Sequence, residues 1–203
     1  MERHGKIHRF EMPPRLEGKR ALLIPLEQSH ADELFETAKD ESIWKFYTFQ
    51  KMKNPERFKE FLINSLEKMR TGPEYTFTFI DKETGRKIGG SSFLDISHEN
   101  RSLEIGRTWI PPLLQGTGYN TETKYLMLAY CFETLKLGRV FFKTDSANKR
   151  SCAALEKIGA AYEGTLRNHM VREDGSYRHS AYYSIIDTEW TSVKNNLEKK
   201  ING

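Results

Sequence analysis

The segment Gln115-Gly116-Thr117-Gly118-Tyr119-Asn120-Thr121-Glu122 carries the most specific chemical signal in this 203-residue chain. Two glycines two apart, after a strand-like run and before a helical one, let successive backbone N–H groups point into one concavity. At a helix N-terminus such a nest binds phosphate without a cationic side chain. Two familiar phosphate loops do not match it. A dinucleotide fingerprint wants a third glycine where Thr121 stands, inside a parallel βαβ unit. A Walker loop wants Gly-Lys-Ser/Thr, and none follows. By pattern alone, Gly-Thr-Gly is either a phosphate cradle or an ordinary loop.

The other reactive residue types are less specific. Cys131 and Cys152 sit in helical-looking sequence without a partner at metal-ligand spacing, so neither a disulfide framework nor a zinc ribbon is expected, and no metal. Cys152 has no His in a motif with it and reads as a structural thiol rather than a nucleophile. The six histidines are scattered. His4 and His8 fall four apart, but in a segment without helical pattern, and read as part of a solvated tail.

The elements that must position the loop follow from periodicity. Lys19–Leu26 reads as a strand. Ser29 can cap a helix over His30–Asp40, and Asn54-Pro55 starts another that keeps an apolar stripe to about Arg70. Tyr75, Phe77 and Phe79 then alternate with threonines at strand spacing. Turns at Lys82–Gly85 and Ser97–Asn100 link this strand to two more, Arg86–Ile96 and Arg101–Ile110, before Pro111-Pro112 halts the sheet. After the loop, a helix over Asn120–Leu135, a strand over Arg139–Thr144, and a helix capped by Asn148 and ending near Gly159 are expected. A hairpin turning at Asp174-Gly175, a closing strand at Tyr182–Ile186 and a helix capped by Asp187 complete the order. The class is α+β (mixed α/β): a mostly antiparallel twisted sheet of about seven strands flanked by helices, opening at a strand–loop–helix step.

Composition bounds the alternatives. Hydrophobic residues make up 37% and charged residues 30%, yet 12 Phe, 9 Tyr and 3 Trp supply a core, which excludes wholesale disorder. The longest apolar run, Tyr125–Phe132, falls far short of the roughly 20 residues of a membrane span. No secretory leader is visible, and with the cysteine usage this points to the cytoplasm. Net charge is +4, of which the first twenty residues carry six basic against three acidic groups. The rest is nearly balanced, so no nucleic-acid partner is expected. The expected organisation is a basic arm over 1–15 and one domain over 16–203.

Residues 115–120 fit Q/R-x-x-G-x-G/A, with Asn120 at the last small position, and further landmarks agree in order. These are Glu104-Ile105-Gly106, Glu122, Asn148-x-x-Ser151, Glu156-Lys157-Ile158-Gly159-Ala160 and Glu163–Arg167. Over about residues 16–190 the chain resembles the GNAT acetyltransferases, in the branch of the ribosomal-protein N-terminal acetyltransferases (RimJ/RimL-like). The resemblance implies an acetyl-CoA-dependent N-acetyltransferase acting on a primary amine, either a protein N-terminus or a small molecule such as an antibiotic, polyamine or amino acid. It implies direct attack without a covalent enzyme intermediate, by a monomer or homodimer. A non-catalytic acyl-CoA sensor is the alternative, favoured by Leu155 where many relatives place a Tyr general acid.

Within that resemblance, the amides of Gln115, Gly116, Thr117, Gly118, Tyr119 and Asn120 would cradle the pyrophosphate. The backbone of Trp109 and Ile110 would pair with the pantetheine arm, and Gly106 would mark the bulge that parts the sheet. Asn148 would reach the pantetheine amide, and Lys149 and Arg150 the 3′-phosphate. Gln115 in place of the more frequent Arg removes a cation near phosphate. Glu104 is the candidate general base, against a plain salt bridge to Arg107 or Arg101. Ser151, or else Tyr162, would protonate the leaving thiolate. Trp44, Phe46, Tyr47 and Phe49 either wall the acceptor pocket or pack in the core.

Overall fold

The computed structural model describes residues 10–49 and 51–203. His4, His8 and most of the basic arm therefore lie outside the described residues. The sheet has eight strands: β1 (Leu16–Glu17), β2 (Ala21–Pro25), β3 (Tyr75–Asp81), β4 (Lys87–Ser97), β5 (Ser102–Trp109), β6 (Arg139–Asp145), β7 (Ala161–Val171) and β8 (Tyr177–Ile186). Their spatial order is β1-β2-β3-β4-β5-β6-β8-β7. Every pairing is antiparallel except β5 with β6. The strand beyond the expected seven is the two-residue β1, too short to carry a periodicity.

Helices α1 (Ala31–Ala38) and α2 (Pro55–Thr71) cover one face of the sheet, and α3 (Tyr119–Ala129) and α5 (Trp190–Asn202) the other. α4 (Lys149–Lys157) follows β6. α2 begins as expected: Asn54 Oδ1 accepts from the N–H groups of Glu56 and Arg57 at 2.9 and 3.2 Å, and Pro55 holds the first position. At its other end Gly72, at φ 96°, donates to Lys68 O at 2.9 Å.

α1 differs from expectation. Residues 28–30 form a 3-10 turn, and the Glu27 N–H donates to His30 Nδ1 at 3.2 Å, so Ser29 lies inside the turn and caps nothing. α3 is shorter than the expected helix to Leu135, because residues 130–134 continue it as a single π turn. At the N-terminal side, Phe10 and Met12 pack against the main core cluster, and Tyr75 Oη donates to Pro13 O at 2.8 Å.

The feature that makes a site is the parting of β5 from β6. They pair only over Ser102–Glu104 against Arg139–Phe141. Beyond Glu104 the two strands run on unpaired to each other, so backbone is left open between them. β5 also carries a bulge: Gly90 opposes Trp109 and Ser92 opposes Gly106, and Arg107 within that stretch has φ 49°. The bulge thus centres on Arg107, not on Gly106 as expected. Gly106 is required for a different reason: a Cβ there would meet Glu104 Oε1 at 2.6 Å and Leu94 Cδ1 at 2.8 Å. Its missing side chain is the space in which the Glu104 carboxylate lies.

Candidate active site

The parted strands open into a cavity of about 230 Å³, lined by Ile105 and Thr108–Ile110 on β5 and just beyond, and by Phe142 and Lys143 on β6. Gln115, Gly116 and Asn120 line it from the loop, and Asn148, Arg150, Ser151 and Leu155 from around α4. Gly116 and Gly118 adopt φ 79° and 101°, the left-handed region in which an L-residue is strained. No side chain is crowded at Gly116, so conformation alone requires glycine there.

Six consecutive backbone N–H groups, Gly116 to Thr121, have no acceptor among the described residues. The bonded amides flank them: Gln115 N–H donates to Pro112 O at 3.1 Å, and Glu122 N–H to Gly118 O at 3.0 Å. The open set is therefore shifted by one residue from the expected 115–120, since the 3-10 turn at 112–114 uses the Gln115 amide. The side chains of Thr117 and Tyr119 do not line the cavity; they and the Thr117 carbonyl anchor the loop. Arg20 donates to Thr117 O at 2.7 Å and lies 4.3 Å over the Tyr119 ring, while Tyr119 Oη donates to Asp81 at 2.7 Å. Arg20 carries no motif and was not legible as a loop support.

Gln115 Nε2 donates to Ile110 O at 3.2 Å, so that carbonyl is engaged, while the Ile110 N–H has no acceptor among the described residues. Gln115 Oε1 accepts from Arg150, which brings a cation to the mouth of the cavity. Lys149 does not line this cavity. Asn148 Oδ1 caps α4 by accepting from Ser151 N–H at 3.1 Å, and its Nδ2 has no acceptor among the described residues. The Ser151 hydroxyl likewise has no hydrogen-bond partner among them.

A second cavity, of about 390 Å³, adjoins the first; Tyr47, Thr108, Lys143, Asn148 and Ser151 line both. Glu104, 4% exposed, lines the second. Burial pushes its carboxyl above the usual range, opposed by Lys143. Lys143 Nζ lies 2.7 Å from Glu104 Oε2, an ion contact whose direction does not make a hydrogen bond, and it bonds Asp95 at 2.7 Å. The expected salt-bridge partners are committed elsewhere. Arg107 is bidentate to Glu74, and Arg101 donates to Lys136 O. Lys143 is the partner that sequence reasoning missed, because it comes from the neighbouring parallel strand.

Phe46, Tyr47 and Phe49 wall the second cavity, and Tyr47 Oη donates to Thr108 O at 2.9 Å. Trp44 instead belongs to the core, with its Nε1 donating to Ala38 O at 2.8 Å. Tyr162 is 57% exposed, bonds Thr165 and lines neither cavity, so it is removed as a proton donor at this site. Cys152 packs against the core.

Comparisons with known proteins bear on the family and the fold. A family model described as an acetyltransferase (GNAT) domain matches residues 20–161. A Bacillus subtilis protein named ribosomal N-acetyltransferase YdaF is 33% identical over 54% of this chain, a span of 59% of its own length. The crystal structure of a GCN5-related N-acetyltransferase from Brucella melitensis superposes with a TM-score of 0.84 at 28% identity, covering 91% of this chain and 84% of that one. A ribosomal-protein-S5-alanine acetyltransferase from Vibrio fischeri shares the fold, with a TM-score of 0.69 at 17% identity over 87% of this chain and 98% of that one.

Proposed function

Since the chain belongs to the GNAT acetyltransferase family and is an acyltransferase, we propose that it moves an acetyl group from acetyl-CoA to a primary amine. A ribosomal-protein amine is the acceptor that the relatives' names favour, and the family resemblance points to its N-terminus. The observation that carries the donor is the run of open amides from Gly116 to Thr121 at the mouth of the parted strands. Such a run suits a diphosphate, and the gap between β5 and β6 suits an extended arm with amides of its own. Arg150 would add a cation at the phosphates, and Asn148 Nδ2 a donor to the arm.

Acetyl-CoA, as co-substrate, supplies the activated thioester. Glu104 takes a proton from the ammonium or the attacking amine, directly or through water, from the second cavity. Its raised pKa makes it a stronger base than an ordinary carboxylate. An α-amine titrates near 7.7–8.0 and needs only modest help, which suits a single carboxylate better than a lysine amine would. The Ile110 N–H polarises the acyl oxygen as charge develops there. Ser151, with its uncommitted hydroxyl at the junction of the cavities, passes a proton to the departing thiolate and regains one from solvent, to which Glu104 in turn releases the amine's proton. The C–N bond forms as the C–S bond breaks, with no acyl group on the protein.

A thermal shift on acetyl-CoA and thiol release that requires an amine test this reading. No shift at millimolar acetyl-CoA would overturn it. Gly118→Ala forces an L-residue into the left-handed region at a cost of about 1–2 kcal/mol, so acetyl-CoA affinity falls about 5- to 30-fold by calorimetry. Gly106→Ala acts differently. Its methyl occupies the space of the Glu104 carboxylate, so kcat falls more than coenzyme affinity does.

A further inference from the structure

The second cavity holds a charge that the catalytic cycle does not use. Three cations line it: Arg107, Lys143 and Arg178. Arg107 is taken by Glu74, and Lys143 by Asp95 and Glu104. The Arg178 side chain has no hydrogen-bond or ion-pair partner among the described residues, and its Nε is buried without an acceptor. The nearby Asp145 attracts it electrostatically but makes no hydrogen bond or ion pair with it. One Asp145 oxygen accepts from the Ala147 N–H at 2.9 Å, and the other pairs with Arg172. A buried donor left open costs stability unless something fills it.

The sheet register explains how Arg178 comes to face Glu104. Glu104 lies opposite Phe141 in β6, so it shares a face with Lys143 and Asp145, two and four residues further along. Asp145 pairs with Ser180 in β8, and Arg178 follows on that same face two residues before it. The turn between β7 and β8 is held down over the cavity: Glu173 N–H donates to Thr48 O at 3.1 Å, and Arg57 pairs with Glu173. A carboxylate base on one wall and an open guanidinium on another present opposite charges to one ligand. That is the complement of an amine which also carries an anion.

We infer that Arg178 binds a carboxylate of the acceptor, so that the preferred substrates are amines bearing a carboxylate close to the nitrogen. This rests on the acetyl-transfer reading and adds the acceptor's second charge to it. The guanidinium fork matches a carboxylate bidentately, and such charge-assisted pairs discriminate strongly. The carboxylate comes either from a free amino acid or from an acidic side chain next to a peptide N-terminus.

The test compares kcat/KM for matched acceptors. One pair is L-alanine against L-alaninamide, and the other is a short peptide beginning Ala-Asp against one beginning Ala-Asn. Each is run with the wild type, Arg178→Gln and Arg178→Lys. The carboxylate-to-neutral ratio in at least one pair should fall about 10- to 100-fold in Arg178→Gln, with Arg178→Lys between. The pair that responds identifies the source of the carboxylate. Amine basicity is the same for all three enzymes, and general structural damage lowers both members of a pair alike, so the change in ratio reports Arg178. Ratios unchanged by Arg178→Gln in both pairs, with amines still acetylated, overturn the inference and leave acetyl transfer standing. Absence of any coenzyme-dependent acetylation by the wild type overturns both.

Discussion

Replacing Glu104 by Gln lowers kcat/KM for amine acetylation by about 100- to 10,000-fold while acetyl-CoA still produces its thermal shift. Glu104 lines the second cavity and not the cleft with the open amides, so its loss falls on chemistry rather than on coenzyme binding. The substitution is nearly isosteric and keeps a polar group beside Lys143, which retains Asp95 as a partner. The pH profile separates a base from a structural ion pair. Burial raises the Glu104 pKa above the usual carboxylate range, with Lys143 opposing. Since the base must be deprotonated, the wild-type rate falls as pH drops through that raised value. In Glu104→Gln this acid limb disappears along with most of the rate. A variant that keeps its rate and acid limb would make Glu104 a structural partner of Lys143 only.

The second large effect is on stability. Lys124 in α3 is buried in the wall of the first cavity, where its ammonium meets the hydroxyls of Thr108 and, at 3.3 Å, Ser91, and pairs with no carboxylate among the described residues. Burial pushes its pKa down from 10.5 to about 7. The unfolded chain holds a proton between pH 7 and 10.5 that the folded chain has released. Stability therefore rises with pH across that window, and the cost is fully present below it. The penalty is on the order of 3–5 kcal/mol at its largest. Lys124→Met removes the charge at similar length. Ser91 Oγ keeps Gly106 O at 3.0 Å and Thr108 Oγ1 at 2.7 Å, so no hydroxyl is stranded. The variant should unfold at higher denaturant than the wild type at pH 6.5 to 7 (about neutral), with the gap closing toward pH 10. A variant less stable at neutral pH, with the gap unchanged by pH, would contradict a neutral-leaning buried amine.

What could be read in the sequence was local. Gly116 and Gly118 announce a left-handed turn before a helix, and Asn54-Pro55 announces a helix start, because in each case the physics lies within four residues. The two reasons for a glycine in a strand cannot be separated in this way. In the sequence Gly106 reads as a bulge, but the bulge sits at Arg107, and only the position of the Glu104 carboxylate shows what Gly106 is for. The partners of the site were also out of reach. Lys143 and Arg178 approach Glu104 through a parallel crossover and an antiparallel register far along the chain. No spacing in the sequence encodes that. Arg20 is hidden for the same reason, since it reaches the 116–118 loop from just before β2, 97 residues away from Thr117 in the chain.

A backbone-amide NMR titration with acetyl-CoA puts the central assignment to the most direct trial. The largest shifts should fall on Gly116 through Thr121 and on Ile110, in the wild type and in Glu104→Gln alike. Shifts centred on another part of the chain, with those amides unmoved at saturation, would contradict it.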